Sequence, residues 1–361
     1  MSRAYNFFAG PAVLPLPALE RAQKELLDWE GTGTSVMETS HRSKEYDALH
    51  NEAIALLREH LNINDDYHVM FLTGGASMQF AMIPMNLLSQ GQTADYIHTG
   101  TWSKKAIAEA KLFGKVNVAF DGETVGLTRI PKQSELNLTP DARYVHMTTN
   151  NTIKGTQFHT IPDTGKVPLI ADMSSDFLWR PIDATKFAMI YAGAQKNVGP
   201  AGVTVAIMHK DLLAQCKEEN PTLLKYKTHA DKNSMFNTCP CFNIYMLRNV
   251  LAYMKEIGGL SAIEAHNRKK GDLIYNTIES YPDFFSSPVD KESRSYMNIV
   301  FRLPSEELEA KFVAEGVAQK MLGLKGHRSV GGIRISTYNS CPFEAVEKVT
   351  DFMKAFAKAN G

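Results

Sequence analysis

Seven short apolar runs, rich in β-branched and aromatic residues, alternate with helix-like segments in the first two thirds of the chain. These runs are residues 67–72, 94–98, 116–120, 144–147, 168–172, 188–191 and 202–208. Strands that alternate with helical stretches indicate βαβ units, in which helices cover a mostly parallel sheet. The sequence therefore predicts an α/β fold.

The last third of the chain predicts a second, smaller α/β layer. Strand-like runs at 297–302 and 332–336 are interleaved with helical patterns at 306–321 and 343–358. Gly258-Gly259 separates two long helical segments and is the best candidate for a domain boundary, because glycines end helices. We expect a large domain over residues 16–258 and a small domain formed by residues 1–15 and 259–361.

Charge and composition exclude several classes of protein. Lys plus Arg and Asp plus Glu each number 39, and this balance argues against a nucleic-acid binder. No apolar run approaches the roughly 18 residues of a membrane span. The apolar amino terminus is interrupted by Pro11, Pro15 and Pro17, unlike the helix of an export signal. With only four cysteines in 361 residues, we expect a cytoplasmic protein.

Lys196 is a candidate nucleophile. It lies in the segment AMIYAGAQKNVGPAG, residues 188–202, where small residues leave room for a bulky group on the amine. Loss of water around a lysine lowers its pKa and favours the neutral, nucleophilic form. Taken alone, this segment is better explained by a lysine on a solvated loop, which describes most lysines.

Asp172 strengthens the candidate because it ends one apolar run while Lys196 follows another. The carboxyl ends of parallel strands share one edge of a sheet, where ligands bind. A pyridoxal phosphate site needs this pair of residues. The lysine forms a Schiff base with the carbonyl carbon of the cofactor, and the aspartate pairs with its protonated pyridine nitrogen. The alternative for Asp172 is a helix or turn cap.

Two further features fit an anionic cofactor with an aromatic ring. Residues 73–77, TGGAS, join a predicted strand to a predicted helix, and backbone N–H groups at such a junction can hold a phosphate. Trp102 could stack on the ring, although a plain tight turn and a core tryptophan explain the same residues.

Five segments together give the chain a family resemblance. They are NF with GP at 6–11, SVME leading to SHR at 35–42, YAGAQKN at 191–197, SMFNT at 234–238, and KGHR with GG and Arg334 at 325–334. Over essentially its whole length, the chain resembles the phosphoserine aminotransferases, pyridoxal-phosphate enzymes of fold type I and class V. That resemblance implies a large domain with a mostly parallel seven-stranded sheet.

The resemblance implies roles for individual residues. Lys196 is the Schiff-base lysine, Asp172 pairs with the pyridine nitrogen, and both are catalytic. The implied cofactor contacts are Ala76, Ser77, Trp102, Thr152, Asp172, Gln195, Lys196, Asn237 and Thr238. The implied substrate contacts are Arg334 at the α-carboxylate, and His41, Arg42, His327 and Arg328 at the distal anion.

The same resemblance implies a reaction and an assembly. The enzyme would transfer an amino group from L-glutamate to 3-phosphohydroxypyruvate, reversibly, giving 2-oxoglutarate and O-phospho-L-serine for serine biosynthesis. It leaves open 4-phosphohydroxythreonine, from pyridoxine biosynthesis, as a second substrate. Asn237 and Thr238, and likewise His327 and Arg328, would come from the neighbouring subunit of a homodimer.

Two positions depart from the family pattern, and other functions stay open. Ala9 replaces a serine of many members, and the GGAS turn lacks the arginine of others. Alternatives are an alanine–glyoxylate aminotransferase, a cysteine desulfurase, for which Cys341 is a poor nucleophile, or a non-catalytic binding protein of this fold. Cys239-Pro240-Cys241 has no second ligand pair at zinc spacing, so we expect buried thiols and no metal.

Overall fold

The structure is a computed structural model that describes residues 3–361. Its strands are β1 (Tyr5–Asn6), β2 (Tyr67–Leu72), β3 (Thr93–His98), β4 (Lys115–Asp121), β5 (Val145–Thr148), β6 (Leu169–Asp172), β7 (Met189–Gly193), β8 (Thr204–His209), β9 (Asn298–Phe301), β10 (Met321–Leu322) and β11 (Ile333–Ser336). Its helices are α1 (Leu16–Glu25), α2 (Lys44–Leu61), α3 (Gly75–Leu87), α4 (Thr101–Ala110), α5 (Lys210–Leu213), α6 (Tyr226–Asp231), α7 (Cys241–Glu256), α8 (Gly259–Glu279), α9 (Glu306–Ala318) and α10 (Phe343–Asn360).

The central element is a seven-stranded sheet with the order β2-β8-β7-β6-β5-β3-β4. Neighbours from β7 to β4 are parallel, whereas β8 is antiparallel to both β7 and β2. Because β8 is reversed between them, β2 runs in the same direction as β7. The carboxyl ends of β2 to β7 therefore share one edge of the sheet, and the predicted mostly parallel α/β fold is confirmed.

Helices cover both faces of this sheet. One face packs against α2 and α7 through residues such as Phe71, Val145 and Leu247. The other packs against α3 and α4 through residues such as Met70, Phe80 and Ile107. Burial on both faces explains why the strands are continuous apolar runs without polar alternation.

Helix α2 shows how the local sequence sets an element boundary. The Ser43 hydroxyl accepts a hydrogen bond from the Tyr46 N–H at 3.1 Å, which satisfies one of the free donors at the helix start. Asn62 ends the helix in the left-handed conformation, with φ of 51°. This cap fixes the direction from which the segment containing His41 and Arg42 enters the helix.

A second apolar cluster lies apart from the sheet. It combines Phe7 near the amino terminus with residues of α8, α9 and α10 and of the antiparallel pair β9 and β11. Strand β1 joins it by pairing in parallel with β10. The predicted division into residues 16–258 and the remainder stays a prediction, and this separate core is the packing on which it rests.

Within residues 3–361, every helix is too short or too polar to cross a lipid bilayer.

Candidate active site

Four loops meet at the carboxyl edge of the sheet. Strand β3 leads to Trp102, β5 to Thr152, and β7 to Lys196, while Asp172 is the last residue of β6. The register places Thr148 opposite Asp172, and Asp172 opposite Tyr191, so adjacent strands end at the same level. The topology thus brings these predicted residues to one edge.

The Lys196 amine is enclosed by polar and aromatic groups. Its Nζ donates a hydrogen bond to Thr152 Oγ1 at 2.8 Å and lies 5.1 Å from the centroid of the Trp102 ring. Removal of water lowers the pKa of Lys196 to about 8, although the Asp172 charge partly opposes this shift. The neutral fraction of this amine near physiological pH is therefore much larger than that of an ordinary lysine, although the protonated form still predominates.

Asp172 is buried, and one of its oxygens is firmly held. Its Oδ1 accepts hydrogen bonds from the Ser174 backbone N–H at 2.9 Å and the Ser174 hydroxyl at 2.6 Å. Burial raises the pKa of Asp172, whereas the bonds from Ser174 and the Lys196 charge lower it. The side chain thus caps a turn, the alternative considered from sequence, and still lies beside Lys196.

The start of α3 presents an anion-binding geometry. Gly74 is its N-cap with φ of 86°, and no side chain caps the first turn, so the N–H groups near Ala76 and Ser77 are free of side-chain acceptors. A Cβ at Gly74 would lie 2.6 Å from the Met78 Cβ, which explains the glycine. Gln195 is half-buried immediately before Lys196.

Arg334 projects from β11 toward the same loops. Its Nη1 donates to the Thr152 carbonyl oxygen at 3.2 Å, and burial lowers its pKa. Arg334 and His327 line a cavity of about 360 Å³ together with Lys154 and Gly326. Arg328 is exposed next to His327.

Two buried donors in this region lack a protein acceptor. Trp102 Nε1 and Arg334 Nε form no hydrogen bond within residues 3–361. Unpaired buried donors are costly, so such groups in native proteins usually have an acceptor from water or a ligand. Pyridoxal phosphate fits this set of groups, which comprises the free donors, the uncapped start of α3, the Asp172 carboxylate and the Lys196 amine.

A second group of predicted residues lies elsewhere in the chain. His41 and Arg42 line a separate cavity of about 400 Å³ with Met235, and Asn237 and Thr238 are exposed on the nearby loop. In the part of the chain described, no hydrogen bond or ion pair joins this group to Lys196, Asp172 or Arg334. One chain therefore brings together only part of the predicted set.

Sequence reasoning missed side chains that hold the site residues in place. Ser174 holds Asp172, and its hydroxyl also accepts the Gly193 N–H at 3.1 Å, which connects β6 to β7. Asn151 Oδ1 accepts the N–H groups of Ile153 and Lys154, both at 3.1 Å, and so shapes the Thr152 loop. The Asp-x-Ser spacing at 172–174 is a turn signature that could have indicated Ser174.

Lys105 is a further cation that the motifs did not indicate. Its Nζ lies 5.1 Å from the centroid of the Trp102 ring, over which Lys196 also lies. Its charge contributes to lowering the pKa of His327, after burial, Arg334 and Arg328. No sequence signal separates it from the adjacent Lys104, which pairs with Glu123 at 2.7 Å.

Comparison with known proteins places this arrangement in context. Residues 4–349 match the family described as aminotransferase class V. The chain is 56% identical over 362 residues to the phosphoserine aminotransferase of Desulfatibacillum aliphaticivorans, covering 100% of this chain and 99% of that protein. It is 52% identical to the solved phosphoserine aminotransferase from Bacillus circulans subsp. alkalophilus, with a TM-score of 0.98 and 99% of each chain covered.

A third relative has the cofactor in its structure. The phosphoserine aminotransferase from Trichomonas vaginalis, described as bound to pyridoxal phosphate, is 41% identical with a TM-score of 0.92. The match covers 98% of this chain and 100% of that one.

Proposed function

This chain belongs to the class-V aminotransferase family, and within it to the phosphoserine aminotransferases, and from that premise we propose how its residues act. The protein is a pyridoxal-phosphate-dependent aminotransferase that acts on small molecules. It transfers an amino group between L-glutamate and 3-phosphohydroxypyruvate. The observation that carries the assignment of residues is the Lys196 amine, whose pKa is about 8 and which lies beside Asp172, Thr152 and Trp102.

We propose that the residues of the sheet edge hold the cofactor. Ala76, Ser77 and Gln195 would bind its phosphate, Trp102 would cover its ring, and Asp172 would pair with its ring nitrogen. Bound there, pyridoxal phosphate supplies a carbon that bonds to amines and a ring that accepts an electron pair when Cα loses its proton. Ser174 keeps Asp172 in place and favours its charged form.

Lys196 is the proposed proton carrier. Its Nζ takes the proton from the substrate Cα and later returns a proton, so it acts first as base and then as acid. A base needs a free electron pair, and the lowered pKa of Lys196 supplies one near neutral pH. Thr152 Oγ1 accepts from Nζ at 2.8 Å and so orients the amine.

Arg334 is the proposed clamp for the α-carboxylate. A guanidinium binds a carboxylate with two parallel hydrogen bonds, and the Nε of Arg334 has no partner among the described residues. His41, Arg42, His327 and Arg328 are proposed to bind the distal anion, a phosphate in one substrate and a carboxylate in the other. Several donors suit two differently shaped anions better than one rigid pair.

We propose a homodimer with shared sites. Asn237 and Thr238 are exposed and lie apart from the Lys196 group within one chain, as expected if they complete the neighbour's phosphate site. The four cysteines, all within the described residues, are unpaired, which supports the proposed cytoplasmic location.

Substrate comparison tests the assignment of the arginines. Arg334→Ala should lower kcat/KM for phosphoserine, glutamate and alanine alike, because all three carry an α-carboxylate. Arg328→Ala and Arg42→Ala should lower kcat/KM for phosphoserine and glutamate by about ten- to hundred-fold, the value of one charge-assisted contact, and spare slow alanine turnover. Equal loss with alanine and phosphoserine would show that Arg42 and Arg328 are structural.

A further inference from the structure

A largely buried cluster next to the Asn237-Thr238 loop contains none of the residues assigned above to the cofactor or the substrates. Cys239 follows Thr238, and Cys241 is the first residue of α7. The Tyr46 hydroxyl, from α2, lies 3.1 Å from Cys239 Sγ. Cys241 Sγ lies 3.4 Å from the Cys239 carbonyl oxygen, so both thiols belong to one compact turn.

His50 completes the cluster and lacks a hydrogen-bond partner. Its side chain is 0% exposed, and neither ring nitrogen is bonded to any residue from 3 to 361. The ring is fixed between Tyr46 and Phe71, at centroid distances of 5.9 and 5.1 Å. An imidazole ring always carries at least one N–H, and a sulfur nearby is an acceptor that would satisfy it.

The surroundings separate Cys239 from the other thiols. The neighbouring side chains of Cys241, His50 and Tyr46 lower the pKa of Cys239, against the effect of burial. Burial raises the pKa of Cys216 to about 12 and also raises that of Cys341. Thiolates are the reactive form, so Cys216 and Cys341 serve as inert internal controls.

We propose that Cys239 and Cys241 form a peroxide-reactive pair whose oxidation to a disulfide displaces Asn237 and Thr238 and loosens the cofactor. This effect on the cofactor rests on the proposed function of the Asn237-Thr238 loop. Within one chain, Cys239 is 7% exposed and Cys241 is half-buried, and hydrogen peroxide is an oxidant little larger than water.

The chemistry balances with hydrogen peroxide as the oxidant. The Cys239 thiolate attacks one peroxide oxygen, the O–O bond breaks, and hydroxide leaves, which gives a sulfenic acid after proton transfer. The Cys241 sulfur then attacks the Cys239 sulfur, and the departing oxygen leaves as water. Overall, two thiols and one peroxide give one disulfide and two waters, and a dithiol reductant reverses the change.

Coupling to the cofactor follows from chain connectivity. The disulfide would enclose only Pro240, at the point where the Cys241 N–H bonds the Cys239 carbonyl oxygen at 2.8 Å. Cys241 Sγ must turn from that carbonyl toward Cys239 Sγ, and closing a disulfide ring across a single residue restricts the backbone torsions of residues 239–241, immediately after Thr238. The neighbouring phosphate contacts would therefore weaken.

Peptide mapping of the holoenzyme tests the modification. The enzyme is treated with a limited amount of hydrogen peroxide, its remaining thiols are blocked, and it is digested. A peptide with an internal, linked Cys239–Cys241 disulfide should appear before Cys216 or Cys341 is oxidised. His50→Gln should slow its formation, by about tenfold if the thiolate fraction falls in proportion. Earlier oxidation of Cys216 or Cys341, or no linked peptide, would overturn the proposal.

Cofactor release tests the consequence. Peroxide-treated wild-type enzyme should lose pyridoxal phosphate several-fold faster on dialysis, and a dithiol should restore retention, whereas Cys239→Ser and Cys241→Ser enzymes should not respond. A disulfide without faster release would overturn the regulatory role. Because mapping and release need no turnover, failure here is distinguishable from failure of the proposed aminotransferase residues.

Discussion

Ser174 shows how a single hydroxyl can set the charge of a functional residue. Its donation to Asp172 at 2.6 Å opposes the rise in pKa that burial imposes on the carboxyl group. Ser174→Ala should raise the pKa of Asp172 further. It should lower kcat/KM by about ten- to hundred-fold, the value of one hydrogen bond to a charged group.

The neighbouring Ser175 provides a matched control. It is also buried, but its hydroxyl donates to the Asn150 carbonyl oxygen at 2.8 Å and does not contact Asp172. Ser175→Ala should cost comparable stability with a smaller loss of kcat/KM. Equal losses of kcat/KM in the two variants would contradict the role of Ser174.

Lys196 gives a pH dependence with a definite sign. Below its pKa the amine is protonated and has no electron pair to attack with. The rate at which pyridoxal phosphate attaches to the cofactor-free protein should therefore rise with pH, with a midpoint near pH 8, and level off about one pH unit higher. Stopped-flow absorbance measures it, with Lys196→Arg as the unreactive control, and a midpoint near the ordinary lysine pKa would refute the burial argument.

At the scale of elements, a buried lysine ties α8 to the loop after β11. Lys270 Nζ donates to the carbonyl oxygens of Thr337 and Tyr338, both at 2.7 Å, and of Cys341 at 3.1 Å. In the same loop, the Asn339 N–H donates to Asn197 Oδ1 at 2.8 Å, next to Lys196. Lys270 thus supports the contact between the second core and the lysine turn.

Lys270→Met should destabilise the fold by about 2–4 kcal/mol, because it leaves buried carbonyl groups unpaired. Burial lowers the pKa of Lys270 to about 8, so between pH 8 and 10.5 the unfolded chain binds more protons than the folded one. The free energy of unfolding of the wild-type protein therefore rises with pH in that window. Its difference from the free energy of unfolding of Lys270→Met should widen. Urea unfolding at several pH values measures this.

The exposed neighbour Lys269 is the control for that experiment. Its Nζ lies 4.1 Å from the centroid of the Phe343 ring, an exposed contact of small value. Lys269→Met should cost less than about 1 kcal/mol of unfolding free energy. If the difference in unfolding free energy between wild type and Lys270→Met narrows with rising pH, the lowered pKa assigned to Lys270 is wrong.

Most elements could be predicted because apolar pattern and capping residues determine them locally. The run at 168–172 became β6 (Leu169–Asp172), and the Ser43 cap opens α2 as expected. The reversed direction of β8 could not be predicted, because VTVAIM is equally apolar in either orientation. The short strands β1 and β10 were missed, since each has two residues and depends on a distant partner.

The candidate site, like the fold, could be predicted only in part from the sequence. Strand ends and small residues indicated Asp172 and Lys196, and the family motifs supplied the remaining residues. The contacts of Ser174 and Asn151 depend on side-chain positions between loops, which spacing does not specify. The roles of all these residues stay predictions until variants are measured.

The proposed shared site requires two chains. If Asn237 and Thr238 complete the neighbour's site, mixing Lys196→Ala chains with Asn237→Ala/Thr238→Ala chains creates hybrids in which one site is intact. Random pairing gives about one quarter of the wild-type sites in a two-fold dimer. Refolding the mixture and assaying phosphoserine turnover measures the recovery, and no recovery would place both groups in one subunit's site.

The same experiment assigns the distal-anion residues to subunits. The resemblance implies that Arg328 comes from the partner, whereas within one chain His327 shares a cavity with Arg334 and Arg42 lies with Met235. We therefore expect that Arg42 is the residue contributed by the partner, so that mixing Arg42→Ala chains with Lys196→Ala chains restores activity in the hybrid dimers. Recovery with Arg328→Ala instead would support the arrangement that the resemblance implies.

Lys196 is the residue that we propose to bond to pyridoxal phosphate and to carry the proton. Borohydride reduction of the holoenzyme, followed by digestion and peptide mapping by mass spectrometry, identifies the lysine to which the cofactor is attached. The reduced cofactor should be found on Lys196, in the peptide containing AGAQKN, and the Lys196→Ala enzyme should carry no label. A label on any other lysine would show that Lys196 is not the cofactor-bearing residue.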